Sequence, residues 1–517
     1  MDATESGSRT RLERRGGRTM DSTMSGHSSK PTVGALPDTT VESPFVPAVL
    51  TWLVWSLFAA SVAVLVARVR IDGAWEIPGV IAVDGLTVLL WVVVTFFSGI
   101  VHSYSRRYMA GSTHETRFFC NVFGFTAAVM GLVAADHIAL FALLWLAMGL
   151  VMANLIGTVD GWRQARAAAR VARRYFLASS ALLGVALTAL WWTTGATSIS
   201  GIVAAADGLG GPVWLVGVAA LVLAAMIQSA LVPFHGWLLS SMTAPTPASA
   251  LMHAGFVNAG GILLTRFAPV VTVDATLMLA IVVVGATSAL LGKLLKTVQA
   301  DSKTELGCST VGQMGFMIMQ AGLGFFGAAV THLVLHGFYK AYHFLSAGGQ
   351  VEHTAPAEEG TGAPSLAGTA IVLATGVAGG VLFAALTGKG TSLDSGLLLV
   401  LFVALTTLHA AHSAVTQTDL SKRARYGAVP LVFIPAITVY ALVYEAISAV
   451  LSGLPVVAAP TQLSAVHALV AVVFLVVYVA IELGVHERSQ RLYVTLVNAS
   501  QPASGTVLTA TEEYNEY

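Results

Sequence analysis

His332, His336 and Lys340 stand at intervals of four within the otherwise mainly apolar segment 325–346. On a helix four residues advance about 6 Å and pass one full turn by about 40°, so all three project from one face. Imidazole titrates near neutral pH, and an ammonium taken out of water holds its proton less tightly. A row of such groups about 6 Å apart can pass protons through intervening water, while mutual repulsion opposes charging all three at once. That chemistry is a relay and not an enzyme active site. Two histidines at this spacing also resemble half a zinc site, but no third ligand follows at ligand spacing, and no metal is expected. Neither a Walker loop nor a dinucleotide fingerprint occurs, so no cofactor is expected either.

The stripe must sit in a membrane. Of the 517 residues 56% are hydrophobic and 10% charged, with a mean hydropathy of +0.76, which is too apolar for a soluble chain. An all-α polytopic membrane protein is predicted. Apolar runs of span length fall near 44–68, 84–104, 118–134, 136–157, 172–195, 211–232, 247–268, 272–296, 304–323, 325–347, 367–387, 395–417, 429–453 and 463–484, giving about fourteen helices. Residues 1–43 read as a disordered basic tail, 44–485 as the transmembrane domain and 486–517 as a cytoplasmic C-terminal tail. Cys120 and Cys308 suggest neither a disulfide framework nor a cysteine metal site.

Basic residues collect after the even-numbered spans: Arg106, Arg107 and Arg117; Arg163, Arg166, Arg170, Arg173 and Arg174; Lys296 and Lys303; Lys422, Arg423 and Arg425; Arg488 and Arg491. The positive-inside rule then puts both termini in the cytoplasm of a cell-membrane protein. Reporter fusions at Arg166 and after Arg491 are expected to agree on the cytoplasmic side. An outside signal from either would make the helix count wrong by an odd number.

Other positions refine this picture. The sixth run ends in Gln228 to Trp237 with Pro233 inside it, where a missing donor breaks a helix, as membrane proteins tolerate beside cavities. Pro233 is expected to bring Gln228 and His253, on the following helix, near one another. Asp84, Asp136, Glu445 and Glu482 lie at or near helix ends, where interfacial carboxylates are ordinary. His409 and His412 are either relay members or plain helix-end histidines.

Several longer motifs resemble a known family. Ala244-Pro-Thr-Pro247 with the following Ala248-Ser-Ala-Leu-Met-His253, Val83-Asp-Gly-Leu86, Tyr104-Ser-Arg-Arg-Tyr-Met109, Gln299 to Lys303, Ser309 to Met317 and the His332–His336–Lys340 stripe resemble the antiporter-like subunits of respiratory complex I and of multisubunit sodium/proton antiporters. Within that superfamily, His253 to Pro269, Gln320 to Gly324 and Arg491 to Asn498 look most like the DabB subunit of the DAB-type inorganic carbon pump.

The resemblance implies two inverted five-helix repeats, about 118–268 and 272–453, each containing a broken helix. It implies proton-path roles for Lys303, His332, His336 and Lys340 in the second half and His253 in the first. The first half departs from the pattern: the glutamate after the tryptophan falls at Leu146, and the broken-helix lysine at Gln228, neither of which titrates usefully. In the second half the matching lysine is not evident, and His409 and His412 could serve. The implied function is that of a membrane subunit of an energy-coupled carbon dioxide/bicarbonate pump, moving protons or another cation to drive a zinc-containing DabA-type partner. The alternatives are a complex I or antiporter subunit, or a non-conducting scaffold for a soluble partner. Membrane lipid is the other expected contact, and nucleic acid is not.

Overall fold

The computed structural model of the chain describes residues 45–71, 75–347, 366–416, 422–503 and 506. The expected basic tail, 1–43, lies outside them. Helices occupy every long apolar run. The first half contains α1 (Phe45–Arg70), α2 (Gly85–Tyr108), α3 (Glu115–Ala134), α4 (Ile138–Ile156), α5 (Arg163–Thr194), the short α6 (Ile199–Ala204), α7 (Gly211–Gln228), α8 (Gly236–Ser240), α9 (Thr246–Ala254), α10 (Ala259–Arg266) and α11 (Ala268–Val271). The second half contains α12 (Ala275–Lys296), α13 (Ser302–Gly322), α14 (Phe326–Ser346), α15 (Leu366–Thr387), α16 (Gly396–Thr416), α17 (Lys422–Val450), α18 (Ala465–Glu482), α19 (Val485–Arg488) and α20 (Gln490–Ala499). A two-stranded hairpin, β1 (Glu76–Ile77) and β2 (Ile81–Ala82), precedes α2.

Among the described residues eleven helices are long and apolar enough to cross a membrane, and the chain is a multi-pass membrane protein. The helices α13 and α14 are not among the eleven, because they carry the polar groups considered below. Their starts follow local chemistry: Asp84, Asp274 and Asp301 each accept a backbone amide three residues on, at 2.9, 2.8 and 2.9 Å, capping α2, α12 and α13. Between α13 and α14 the chain reverses at Gly324, with φ +86°. A Cβ there would stand 1.9 Å from the Ala459 carbonyl oxygen, so only glycine fits both the turn and the close approach.

Glycines also set how near α12 and α13 lie. A Cβ on Gly285 would meet Met319 N at 2.5 Å, and one on Gly292 would meet Gly312 N at 2.2 Å. The two backbones are therefore in contact along about two turns, the packing that small residues permit where lipid offers no hydrophobic drive.

The break in the sixth run is real but is not placed at Pro233. The helix α7 already stops at Gln228, and Ser229 to His235 form a turn in which Ala230 has φ +53°. Tertiary partners replace the lost helical bonds: the Trp237 indole donates to Ile227 O at 2.9 Å, Ser229 Oγ donates to Val257 O at 2.7 Å, and Val232 N donates to Ser288 Oγ at 3.2 Å. The expected span 247–268 is itself divided, into α9 and α10, by a 3-10 turn over Phe256–Asn258. Asn258 Nδ2 donates to Ala254 O at 2.7 Å, so the carbonyl freed at the kink is bonded. In the second half the helix that carries His409 and His412 is continuous. Gly396–Thr416 runs as one helix, with no proline inside it to remove a donor.

The C-terminal segment is not simply a tail. The amphipathic α20 buries Leu496 against Leu239, Leu295 and Cys308, and Ala499 O accepts from His235 Nε2 at 3.2 Å. Just beyond it, Ala503 N donates to Ser240 Oγ at 3.0 Å.

Candidate proton-transfer site

The helix α14 is enclosed, and its polar face points inward. Lys340 is fully buried and His336 is 4% exposed, while His332 is half-buried. The His332 and His336 rings lie 5.9 Å apart and 16° from parallel, the geometry expected of successive turns on one face. Gly337 allows the approach to α9: a Cβ there would stand 2.7 Å from the Phe97 ring and 3.0 Å from Ala254 O. His336 consequently faces the main chain of His253.

One carbonyl joins the stripe to the first half. Lys340 Nζ donates to Leu306 O at 2.8 Å, and Thr310 Oγ1 donates to the same oxygen at 2.8 Å. The Thr310 hydroxyl lies 2.8 Å from His253 Nδ1. Since the threonine proton is already directed at Leu306 O, His253 must supply the proton between them, which makes it the Nδ1–H tautomer. Its Nε2 is then an acceptor, buried and without a protein partner, as are Nε2 of His332 and Nε2 of His336. Buried ring nitrogens of this kind require water to complete their bonding. Three of them on one path are what a water-linked relay needs.

The Lys340 ammonium has no carboxylate within salt-bridge distance among the described residues. Among the described residues its hydrogen bond goes to a neutral carbonyl, and the Tyr339 ring lies 5.6 Å from Nζ. Packing alone would favour a methionine or leucine there. Lys303 stands at the first turn of α13 and donates to Ala244 O at 3.2 Å, in the turn before α9. It therefore marks an edge of the site, next to the Ala244–Pro247 motif.

Gln228 and His253 are both fully buried, but the structure does not bond them to each other. Both polar atoms of the Gln228 amide lack partners, whereas His253 turns to Thr310 on α13 and stacks on Phe344 of α14 at 4.4 Å. Trp145 Nε1 bonds Ser179 Oγ at 3.1 Å, which in turn donates to Ala224 O at 3.0 Å, and Leu146 beside it is half-buried. These positions supply no titratable group to the first half.

Sequence reasoning missed three features. Gln320 is fully buried with an amide lacking close partners. Arg266, at the end of α10, reaches Asp84 at the start of α2, Thr87 Oγ1 at 3.1 Å and Val133 O at 2.6 Å. Burial works against the Asp84 carboxylate, but the Arg266 guanidinium and the Thr87 amide outweigh it and hold its carboxyl below the ordinary aspartate range. Third, Lys293 on α12 lies 2.8 Å from His409 on α16, which lies 2.7 Å from Glu482 on α18.

Two family models match the chain: "NADH:quinone oxidoreductase/Mrp antiporter, TM" over residues 135–360 and "NADH-Ubiquinone oxidoreductase (complex I), chain 5 N-terminus" over 72–119. Among curated relatives, the probable inorganic carbon transporter subunit DabB1 of Halothiobacillus neapolitanus (strain ATCC 23641 / c2) is 38% identical over 289 residues, 54% of this chain and 51% of that protein. The probable inorganic carbon transporter subunit DabB of Bacillus subtilis (strain 168) is 38% identical over 283 residues, 54% of each. NADH-quinone oxidoreductase subunit L of Mycobacterium tuberculosis (strain ATCC 25618 / H37Rv) is 34% identical over 282 residues, 53% of this chain and 44% of that one. The chain thus spans about half the length of the curated relatives it matches. The fold is shared with a chain of the Mrp complex from Dietzia sp. DQ12-45-1b, with a TM-score of 0.52 at 23% identity over 91% of this chain and 53% of that one. It is also shared with a chain of the membrane-bound sulfane sulfur reductase, an archaeal respiratory membrane complex, with a TM-score of 0.56 at 16% identity over 89% and 94%. With both models in chain order across the α2–α14 core and the polar stripe inside it, this chain is similar to the antiporter-like subunits of complex I and Mrp antiporters, and among curated relatives to DabB subunits.

Proposed function

We propose that this chain is the membrane subunit of an energy-coupled inorganic carbon pump, in which proton movement along its buried stripe drives a zinc-containing DabA-type partner. The observation that carries the proposal is the buried Lys340, tied through Leu306 O and Thr310 to His253, in a chain 38% identical to DabB proteins. A buried ammonium with no counter-ion among the described residues is costly, and proton exchange is the use that repays the cost. Protons are passed between His253, His332, His336 and Lys340, with Lys303 at the edge. Leu146 and Gln228 leave the first half without the usual acid–lysine pair, so the working path lies in the second half. Hydration chemistry belongs to the partner. The protein sits in the cell membrane with both termini cytoplasmic.

Co-expression tests this reading. The chain alone is expected to give no bicarbonate accumulation, and the chain with a DabA-type partner to give accumulation that an uncoupler abolishes. Equal uptake by the chain alone would defeat the two-subunit proposal. The 34% identity to subunit L supports a second reading, a respiratory complex subunit, which copurification with respiratory subunits would favour.

A further inference from the structure

We propose that Lys293, His409, Glu482 and His412 form the proton port through which the buried stripe exchanges protons with the face on which α12, α16 and α18 end. This inference rests on the relay reading above. Three helices supply the cluster. Lys293 Nζ lies 2.8 Å from His409 Nε2, His409 Nδ1 lies 2.7 Å from Glu482 Oε1, and His412 Nδ1 lies 2.6 Å from Glu482 Oε2. The helical interval of three puts both histidines on one face of α16, where one carboxylate can engage both.

The partners orient this chain of bonds. An ammonium can only donate and a carboxylate can only accept, so a neutral His409 between them must accept at Nε2 and donate from Nδ1. A proton can then move without rearrangement of heavy atoms. Lys293 gives a proton to His409 Nε2, and the Nδ1 proton passes to Glu482 Oε1. The products are a neutral amine, the Nε2–H imidazole and a carboxylic acid. Glu482 releases its proton to water, the stripe reprotonates the Lys293 amine, and exchange with water, which takes the Nε2 proton and returns one at Nδ1, restores the starting tautomer of His409.

The position suits a port. The side chains of His409, His412 and Glu482 are 42%, 30% and 18% exposed, and Glu482 is the last residue of α18. The cluster stands at the level of the Lys340 end of the stripe: a Cβ on Gly292, next to Lys293, would stand 3.0 Å from Cys308 O, two residues from Leu306, whose carbonyl accepts from Lys340 at 2.8 Å. At the other end of the stripe Phe316 packs on His332 at 5.5 Å and on Phe402 at 5.6 Å, and Phe402 packs on Phe474 at 4.7 Å. This apolar layer separates His332 from α16 and α18 at that depth, so the connection runs at the Lys340 end. Among the described residues the charged and titratable groups around the cluster are Lys293 and Lys296 on α12, Glu305 on α13, His409 and His412 on α16, and Tyr478 and Glu482 on α18.

A merely structural cluster would clamp α18, which is otherwise little buried, to the bundle. Glu482→Gln separates the two roles, because an amide keeps the shape and bonds both histidines but cannot take up a proton. In membrane vesicles containing the full chain with its partner subunits, proton flux per assembled complex is expected to fall about a hundredfold in Glu482→Gln and in His409→Gln. Glu482→Asp is expected to retain part of the flux with a displaced pH profile. Parental flux in both glutamine variants, with Lys340→Met inactive, would overturn the port and leave the stripe standing. Parental flux in Lys340→Met would instead defeat the relay itself. Flux that falls only in step with assembly in both glutamine variants would make the cluster a clamp and overturn the proposal; should Glu482→Gln fail to assemble, His409→Gln alone decides by the same criterion.

Discussion

Lys340→Met is expected to assemble at least as well as the parent and to lose energy-coupled transport about a hundredfold, the loss typical of removing an essential proton-transfer group. Methionine matches the length of the lysine stem and fills the same space between α13 and α14. It also removes an ammonium that donates to Leu306 O at 2.8 Å, and with it the cost of burial. Thr310 keeps its bond to the same carbonyl, so the link to His253 is undisturbed. Lys340→Arg is expected to lose most transport as well, since a guanidinium stays protonated and cannot relay. His336→Ala should be milder where water bridges from His332. The decisive measurement is assembled complex and transport in the same Lys340→Met cells. Normal assembly with normal transport would refute the relay and favour a scaffold that has inherited the stripe.

Arg266→Leu should act in the opposite way, on the fold and not on the chemistry. Arg266 holds three partners from two other helices, and its side chain is 11% exposed against 25% for Asp84. Removing it leaves the Asp84 carboxylate with Thr87 as its donor but without its counter-charge, and breaking a buried pair in this manner costs about 3–5 kcal/mol. Much less assembled protein is expected, with a lower unfolding midpoint in detergent. Arg266→Lys should recover little, because a single ammonium cannot span Asp84, Thr87 and Val133 in the way a planar guanidinium does. Adding Asp84→Asn to Arg266→Leu should recover part of the loss by removing the unpaired charge; no recovery would show that the pair matters only through packing. The sign of the pH dependence follows from the depressed Asp84 carboxyl. A group bound more weakly to its proton when folded contributes its stability in full above its unfolded value, about 4, and loses it as pH falls through the lower folded value. The parent should therefore show no change from this pair between about pH 5 and 8.

Membrane character, the helical nature of the long apolar runs and the single face shared by His332, His336 and Lys340 are legible in the sequence alone. All three depend on local properties: run length against bilayer thickness, and a helical period that places every fourth residue on one side. The sequence also marked Gln228 to Trp237 as a break, because a proline and the polar residues around it do not suit continuous helix. Where the break falls was decided elsewhere. The chain leaves the helix at Gln228 because Trp237, Val257 and Ser288, at separations of up to 56 residues, are there to satisfy the backbone and hydroxyl groups of the turn.

The same reason explains the contacts that no spacing revealed. Arg266 meets Asp84 across 182 residues, Lys293 meets His409 across 116, and His409 meets Glu482 across 73. From the sequence Asp84 and Glu482 are ordinary helix-end carboxylates, and His409 is a histidine near a surface. Only tertiary packing makes them partners, because the choice of neighbouring helix and its height depends on how closely backbones approach. That approach was set by residues with no chemistry of their own. Gly285 and Gly292 let α12 lie against α13, and Gly337 lets α14 bring His336 and Lys340 to the kink after His253. A side chain's face is encoded within its own helix, whereas its partner is encoded in the shapes of two helices together.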